Sequence, residues 1–327
     1  MTQFSRAVMD LDLGAAAAQL SGGLRDAVKR LRRRGLVVAV SGGIDSACVA
    51  ALGVVALGRE RVHALLLPER DSSPESQELG AKLCDKLGIE WTVEDISPIL
   101  DAAGCYRHRD DAVRSVFPGY EKEMRWKMVL EGDRLETGRL SFFSVVVELP
   151  GGETRSFRLT AQAYLKILAA TNFKQRTRKM LEYFHADRLN YAVAGTPNRL
   201  EHDQGFFVKL GDGAADVKPI ARLYKTQVYA LARHLGVIDD ILCRQPTTDT
   251  YSLSQSQEEF YFSVDYRRLD LLMWAKDHGI APELAAPEVG MTPQHVRHVY
   301  EDIDAKRRVA EYLHAPPLLL EELDGRS

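Results

Sequence analysis

The chain is poor in cysteine, with 4 among 327 residues, and these are Cys48, Cys84, Cys105 and Cys243. They form no C-x-x-C pair and show no metal-ligand spacing, which argues against a disulfide framework or a zinc site and favours a reducing compartment. No apolar run of about 18 residues and no signal-peptide pattern is present. The cytoplasm is therefore the expected location, and a membrane partner is not expected.

The chain also lacks an excess of charge of either sign. Its 43 lysines and arginines against 46 acidic residues leave a net charge of -3. Such a balance does not predict a nucleic-acid partner, and the basic run at residues 29–34 is typical of the solvated end of a helix. Hydrophobic residues make up 45% of the chain, enough for a sizeable core. We predict a single domain over residues 1–327.

A glycine turn between an apolar strand and a helix is the first feature that carries chemistry. Residues 37–40 are apolar and mostly β-branched, Ser41-Gly42-Gly43 form the turn, and a helix begins near Asp45. The turn lets the backbone approach an anion, and the first N–H groups and the dipole of the helix face that anion. Neither the Walker pattern nor the three-glycine dinucleotide fingerprint is present. This segment therefore predicts a pyrophosphate-binding loop.

Strands and helices alternate on both sides of a central interruption. Residues 62–67 predict a strand, 74–87 a helix and 90–93 a strand; later, 161–186 predict a helix and 191–194 a strand. This alternation indicates an α/β fold with a doubly wound parallel sheet, Rossmann-like, with helices on both faces. Ligands of such sheets bind at the carboxyl ends of the strands. A C-terminal helical tail is predicted near residues 290–313.

The alternation breaks between about residues 101 and 160. Residues 141–149 and 154–159 flank a glycine-containing turn and predict a β-hairpin. We interpret residues 101–160 as an insertion into the domain. It is expected to be either a solvated elaboration, peripheral to nucleotide binding, or a docking site for a partner protein.

Two motifs resemble a known family. Ser41-Gly42-Gly43-Ile44-Asp45-Ser46 is similar to the loop of the ATP pyrophosphatases of adenylating amide ligases. Gly195-Thr196, then Glu201, then the loop from Gly205 to Asp216 resemble the NAD synthetase family of that N-type ATP pyrophosphatase superfamily. Further matches cover nearly all of the chain outside residues 101–160, and they include residues 67–76, Asn172-x-x-x-Arg176, Leu223-Tyr224-Lys225 and Gln245-Pro246-Thr247.

The resemblance implies an amide ligase that uses ATP and Mg²⁺. ATP would adenylate the carboxylate of nicotinic acid adenine dinucleotide and release pyrophosphate, and ammonia would then attack to give NAD and AMP. The catalytic residues implied are Asp45, Lys225 and Asp212. The ATP-binding residues implied are Ser41, Gly42, Gly43, Asp45, Ser46, Thr196, Lys225 and Thr247. The substrate-binding residues implied are Arg176, Phe206, Lys209 and Asp216, and the Mg²⁺ ligands are Asp45 and Glu201, since Mg²⁺ prefers oxygen ligands.

Several alternatives stay open at this point. The long spacing between Ser46 and Asn172 and the altered segment at residues 250–254 leave room for a related ligase acting on a different carboxylate. A non-catalytic nucleotide-binding relative is a second alternative, and a tRNA-modifying or thiolating enzyme is disfavoured by the absence of a cysteine pair and a basic face. The family implies a homodimer. No glutaminase domain is visible, so the implied nitrogen source is free ammonia or a separate glutaminase.

Overall fold

The computed structural model describes residues 4–131, 142–245, 250–253, 255, 261–262 and 264–320. Along them the strands are β1 Leu36–Ala39, β2 Val62–Leu66, β3 Glu90–Val93, β4 Trp126–Glu131, β5 Phe142–Glu148, β6 Thr154–Arg158 and β7 Ala192–Ala194. The helices are α1 Leu13–Arg30, α2 Ile44–Leu57, α3 Pro74–Leu87, α4 Ser97–Ala102, α5 Cys105–Arg114, α6 Ala161–Leu189, α7 Arg199–Gln204, α8 Lys225–His234, α9 Asp239–Leu242, α10 Tyr266–Asp277, α11 Pro282–Val289 and α12 Pro293–His314. Two short 3-10 helices lie at Arg6–Met9 and Arg59–Arg61.

A parallel sheet with strand order β3-β2-β1-β7 forms the centre of the molecule. Leu36 and Val38 pack in one core with α1, α2 and α8, while Val37 packs in the opposite core with α4 and α6. Side chains alternate across a strand, so strands covered on both faces must be apolar throughout. The predicted doubly wound α/β fold is confirmed. The strand order reverses beside β1, which is where such sheets form a ligand crevice.

The region predicted as a hairpin is a three-stranded antiparallel sheet in the order β4-β5-β6. The two predicted strands are present, but β4 was missed because its sequence, Trp-Lys-Met-Val-Leu-Glu, does not alternate cleanly between apolar and polar residues. Val145, Val147 and Trp126 are buried against Ile167 of α6. The expectation of a peripheral, solvated hairpin is therefore wrong, because one face of this sheet has a core of its own.

The C-terminal helices form a further core and cover one side of the molecule. α10, α11 and α12 pack together with Leu200 of α7 and with Tyr224. α12 begins where the sequence predicts a helix start, with Pro293 in its first turn and Thr292 Oγ1 accepting a hydrogen bond of 3.2 Å from the His295 backbone N–H.

Two compositional predictions can be compared with the structure. All four cysteines are free, and three of them are buried. In the part of the chain that the structure describes, no helix combines the length and the apolarity needed to cross a membrane.

Candidate active site

A cavity of about 770 Å³ opens at the carboxyl ends of β1, β2 and β7. Helix α6 lines it from Tyr164 to Glu182, and α12 contributes Val309, Tyr312 and Leu313. Most of the predicted site residues line this cavity, namely Ser41, Gly43, Asp45, Ser46, Arg176, Thr196, Glu201, Phe206, Lys209, Asp212 and Lys225. The tertiary structure thus brings together motifs that lie far apart in the sequence, at the edge of the sheet where ligands bind.

The glycine turn is held by hydrogen bonds within the loop. Ser46 Oγ donates to the Gly43 carbonyl at 3.0 Å and accepts from the Ser41 N–H at 3.2 Å. Gly43 is the N-cap of α2 and provides no side chain, so no capping group covers the first N–H groups of the helix. The loop therefore presents backbone donors and two serine hydroxyls to the cavity, which suits a phosphate group.

Asp45 and Lys225 form an ion pair in the wall of the cavity. Lys225 Nζ donates to Asp45 Oδ2, and Asn198 Nδ2 donates to Asp45 Oδ1 at 3.0 Å. The Lys225 side chain is only 2% exposed. Burial by itself lowers the pKa of Lys225, but the carboxylates of Asp45 and Glu201 outweigh it and raise the pKa above its ordinary value. Lys225 is therefore a permanent cation beside the phosphate loop.

Glu201 is fixed by a capping box at the start of α7. The Glu201 N–H donates to Asn198 Oδ1 and the Asn198 N–H donates to Glu201 Oε2, both at 3.2 Å. Asn198 thus contacts both predicted Mg²⁺ ligands, Asp45 and Glu201. Among the described residues no cluster of three or more potential ligands occurs. Two carboxylates still fit Mg²⁺, which usually takes one or two together with water and substrate phosphates.

Asp212 stabilises the loop that carries it. Its Oδ1 accepts a hydrogen bond of 2.7 Å from the Val208 N–H. Burial raises the pKa of Asp212, and the Val208 N–H and Lys179 oppose this. A carboxyl group with a raised pKa beside a cavity is a candidate for proton transfer.

Three predicted substrate contacts, Arg176, Phe206 and Lys209, also line the cavity. Arg176 Nε donates to the Lys209 carbonyl at 3.3 Å, and Lys209 Nζ donates to the Tyr312 carbonyl at 2.8 Å. The Phe206 ring stacks on Tyr261 with ring centres 4.7 Å apart. Phe206 thus belongs to the cavity and to the C-terminal core at once.

Two predicted residues, Gly42 and Asp216, are not part of this cavity wall. Gly42 packs closely against the backbone of Ser76. Its φ is 73°, and a Cβ atom built on it would lie only 2.3 Å from the Ser76 carbonyl oxygen. Asp216 is exposed, and its carboxylate accepts hydrogen bonds from the Val193 N–H at 2.8 Å and the Tyr183 hydroxyl at 3.4 Å. Thr247 lies outside the described residues.

A buried ion pair in the cavity was missed by the sequence analysis. Lys179 Nζ lies 2.6 Å from Glu182 Oε2, and both side chains are nearly inaccessible to solvent. Burial raises the pKa of Glu182, and Lys179 opposes this. The signal was helical spacing: Lys179 follows Asn172 and Arg176 at seven and three residues, so all three share one face of α6.

A second missed network fixes the loop after β2. Lys174 Nζ lies 2.7 Å from Glu69 Oε1 and 2.9 Å from Asp71 Oδ2, and Arg109 also pairs with Asp71. Burial alone would raise the pKa of Asp71, but Lys174 and Arg109 hold it below its ordinary value. No local pattern indicates these pairs, because the partners are between 38 and 105 residues apart in the sequence.

Comparison with known proteins identifies the family. The sequence model of NAD synthase matches residues 16–130 and 148–310, most of the chain. This chain belongs to the NAD synthase family. The interruption of the family match, at residues 131–147, contains most of β5. It is narrower than the insertion predicted at residues 101–160, because the family model also matches residues 101–130 and 148–160.

A relative in sequence and two solved structures of similar fold each cover nearly the whole chain. The NH3-dependent NAD+ synthetase of Mesorhizobium japonicum is 52% identical, covering 97% of this chain and 99% of that protein. A structure of an NMN synthetase from Francisella tularensis has a TM-score of 0.64 and 22% identity, covering 96% of this chain and 100% of that one. An NH3-dependent NAD synthetase from Campylobacter jejuni has a TM-score of 0.62 and 22% identity, covering 95% and 100%. The two structures show the shared fold.

Proposed function

We propose that this chain is an ammonia-dependent NAD synthetase. It uses ATP to adenylate the carboxylate of nicotinic acid adenine dinucleotide, releases pyrophosphate, and aminates the adenylate to give NAD and AMP. The observation that carries the proposal is the Asp45–Lys225 ion pair at the phosphate loop of a large cavity. A relative of that name with 52% identity over nearly the full chain supports it.

The chain's own groups suit the adenylation step. Attack of a carboxylate on the α-phosphate concentrates negative charge and releases an anion, so catalysis requires positioned donors and cations. Ser41, Gly43 and Ser46 line the cavity and would hold phosphate oxygens through N–H and hydroxyl groups. Lys225 is charged at every pH of interest because its pKa is raised. It would neutralise the developing charge without needing to acquire a proton.

Asp45 and Glu201 would hold Mg²⁺. A Mg²⁺ ion held by these two carboxylates would supply charge neutralisation for the leaving pyrophosphate. We expect Asp45→Asn to abolish pyrophosphate release, while Asn198 can still hydrogen-bond to the amide oxygen. Undiminished release in that variant, with the same dependence on Mg²⁺ concentration, would exclude Asp45 as a ligand.

Asp212 would serve the second step. A carboxylate attracts ammonium and can accept a proton as the nitrogen attacks. Arg176, Lys209 and Phe206 would contact the dinucleotide, Arg176 and Lys209 as cations toward phosphate and Phe206 through its ring. Three further roles stay predictions: a substrate contact for Asp216, and a place in the ATP site for Thr247 and Gly42.

We further propose a homodimer that buries the exposed face of α6. Leu165, Phe173, Met180 and Phe184 are large apolar residues that remain exposed on this helix. At 100° per residue they fall within an arc of about 100° on one side of it. A second copy of this chain is the occupant we infer, because most of the residues by which the same helix lines the cavity, among them Tyr164, Gln175 and Glu182, lie outside this arc. Pairing α6 with α6 would then stabilise the site.

The test is product analysis with the purified full-length chain. Incubation with ATP, Mg²⁺, ammonium and nicotinic acid adenine dinucleotide should give NAD and AMP in equal amounts, detected by mass spectrometry. Glutamine in place of ammonium should give neither. Nicotinic acid mononucleotide as the alternative acceptor tests the competing carboxylate. Turnover of the mononucleotide but not of the dinucleotide would overturn the proposal, as would AMP formation without an amide product.

A further inference from the structure

The inserted sheet reaches the active-site cavity. Met128 of β4 and Phe143 of β5 line it, together with Tyr164 of α6. The Phe143 ring stacks on the Tyr164 ring with centres 4.4 Å apart and planes 17° apart. Both rings are only partly buried, although each packs against the core of the inserted sheet. One end of the cavity is thus an aromatic wall that comes largely from the insertion.

This wall lies several helical turns along α6 from the carboxyl end of β2. Arg178 Nε donates to the Leu67 carbonyl at 3.0 Å, so α6 meets the carboxyl end of β2 at that residue. Tyr164 lies fourteen residues earlier, about 20 Å away along the helix axis. A dinucleotide carries a ring at each end, so one ring can lie at this wall while the other end reaches the carboxyl ends of the strands.

The wall is also held in place before any ligand binds. Strand β4 is hydrogen-bonded to three residues that follow in the chain. The Trp126 N–H donates to Ser252 Oγ at 2.9 Å and the Leu253 N–H donates to the Trp126 carbonyl at 3.1 Å. Gln255 Nε2 donates to the Met128 carbonyl at 2.6 Å. A site fixed in this way loses little conformational freedom when a ligand binds.

We propose that the inserted sheet binds a planar ring of the dinucleotide substrate, with Phe143 and Tyr164 as the stacking residues that determine this specificity. The inference deepens the proposed function and rests on it. It assigns the insertion a role in substrate recognition. Stacking on an aromatic side chain suits a heteroaromatic ring, since every nucleobase-like ring presents a π face.

Phe143→Leu tests the inference, because leucine keeps apolar volume but removes the ring. Phe142→Leu is the matched control: it changes the neighbouring residue of the same strand, whose ring lies under the Arg158 guanidinium at 4.5 Å and outside the cavity. We expect Phe143→Leu to raise the KM for nicotinic acid adenine dinucleotide at least about fivefold, leaving the KM for ATP within about twofold. Tyr164→Leu should act in the same direction.

Thermal unfolding of each variant confirms that it is folded, and calorimetric titration of the dinucleotide gives its affinity directly. An unchanged affinity for the dinucleotide in both Phe143→Leu and Tyr164→Leu would overturn the inference. A rise confined to the KM for ATP would do the same, since the ring would then be that of ATP. If wild-type protein makes no NAD at all, the proposed function fails, and that outcome is separate because it precedes any comparison of variants.

Discussion

Lys225 Nζ donates a hydrogen bond to Asp45 Oδ2, although 180 residues separate them in the sequence. The bond joins the first residue of α8 to the first turn of α2, beside the phosphate loop. Both charges lie mostly within the protein, where an ion pair is stable only while both partners are present. Loss of either side chain is therefore expected to change both the stability of the fold and the charge in the cavity.

Removing the Lys225 cation should lower both the stability of the fold and the rate of pyrophosphate release. We expect Lys225→Met to lower the free energy of unfolding by about 3–5 kcal/mol, because it leaves the Asp45 carboxylate partly buried without its counter-charge. Pyrophosphate release should fall at least about 100-fold. Denaturant unfolding and a pyrophosphate assay measure the two effects. Lys86→Met, at an exposed position of α3, is the control and should change neither; wild-type activity in Lys225→Met would contradict the assignment.

The phosphate loop should not tolerate a side chain at Gly42. A Cβ there would lie 2.3 Å from the Ser76 carbonyl oxygen, and φ is 73°. Gly236 has a similar φ of 77° but no atom within 4 Å of its Cβ position. Gly236→Ala should therefore lower the free energy of unfolding by only about 1–2 kcal/mol, the strain of a left-handed backbone. Gly42→Ala should in addition weaken ATP binding more than about tenfold, because the loop must move to make room for the Cβ. Equal ATP affinities in the two variants, measured by calorimetry, would refute the close-contact argument.

Asp270 should make stability fall as the pH rises. Its buried carboxylate accepts hydrogen bonds from the backbone N–H groups of Lys225 and Thr226, at 3.2 and 2.7 Å. Burial nevertheless raises its pKa from 3.8 to about 6. The folded state then binds this proton more tightly than the unfolded state, so the contribution is complete below pH 4 and is lost by about pH 6.

The size of this effect is about 3 kcal/mol for a shift of roughly two pH units. Denaturant unfolding at pH 4 and pH 7 should show a smaller difference for Asp270→Asn than for the wild type. Asp265→Asn is the control, because Asp265 also caps a helix but is not fully buried. An identical pH dependence in the wild type and Asp270→Asn would contradict the raised pKa.

The exposed face of α6 should hold two copies together. Met180→Glu places a charge among apolar residues that we propose to be buried between subunits, and desolvation of an unpaired charge is costly. The variant should elute as a monomer in size-exclusion chromatography with light scattering, while the wild type elutes as a dimer. Leu284→Glu, at an equally exposed position of α11, should leave the dimer intact. A monomeric wild type would overturn the proposal.

Local patterns determined much of the fold and part of the site. The helix at residues 74–87 and the strand at 90–93 have the predicted bounds, because strand periodicity, Pro74 and Gly88 are local signals. The glycine turn predicted a phosphate loop, and the order of the motifs identified the family. Strand β4 was not predictable in this way, since its burial depends on contacts with α6.

What the sequence alone determined is the inventory: a parallel α/β domain, a phosphate loop, and the residues that the family motifs carry. What only the tertiary structure decided is which of them meet. The tertiary structure placed Asp216 at the surface and paired Asp45 with Lys225. It also added Lys179 and Glu182 to the cavity wall and brought the inserted sheet to the edge of the cavity. The physical reason is that pairing and burial depend on residues far apart in the chain, whereas turn, cap and periodicity signals act within a few residues.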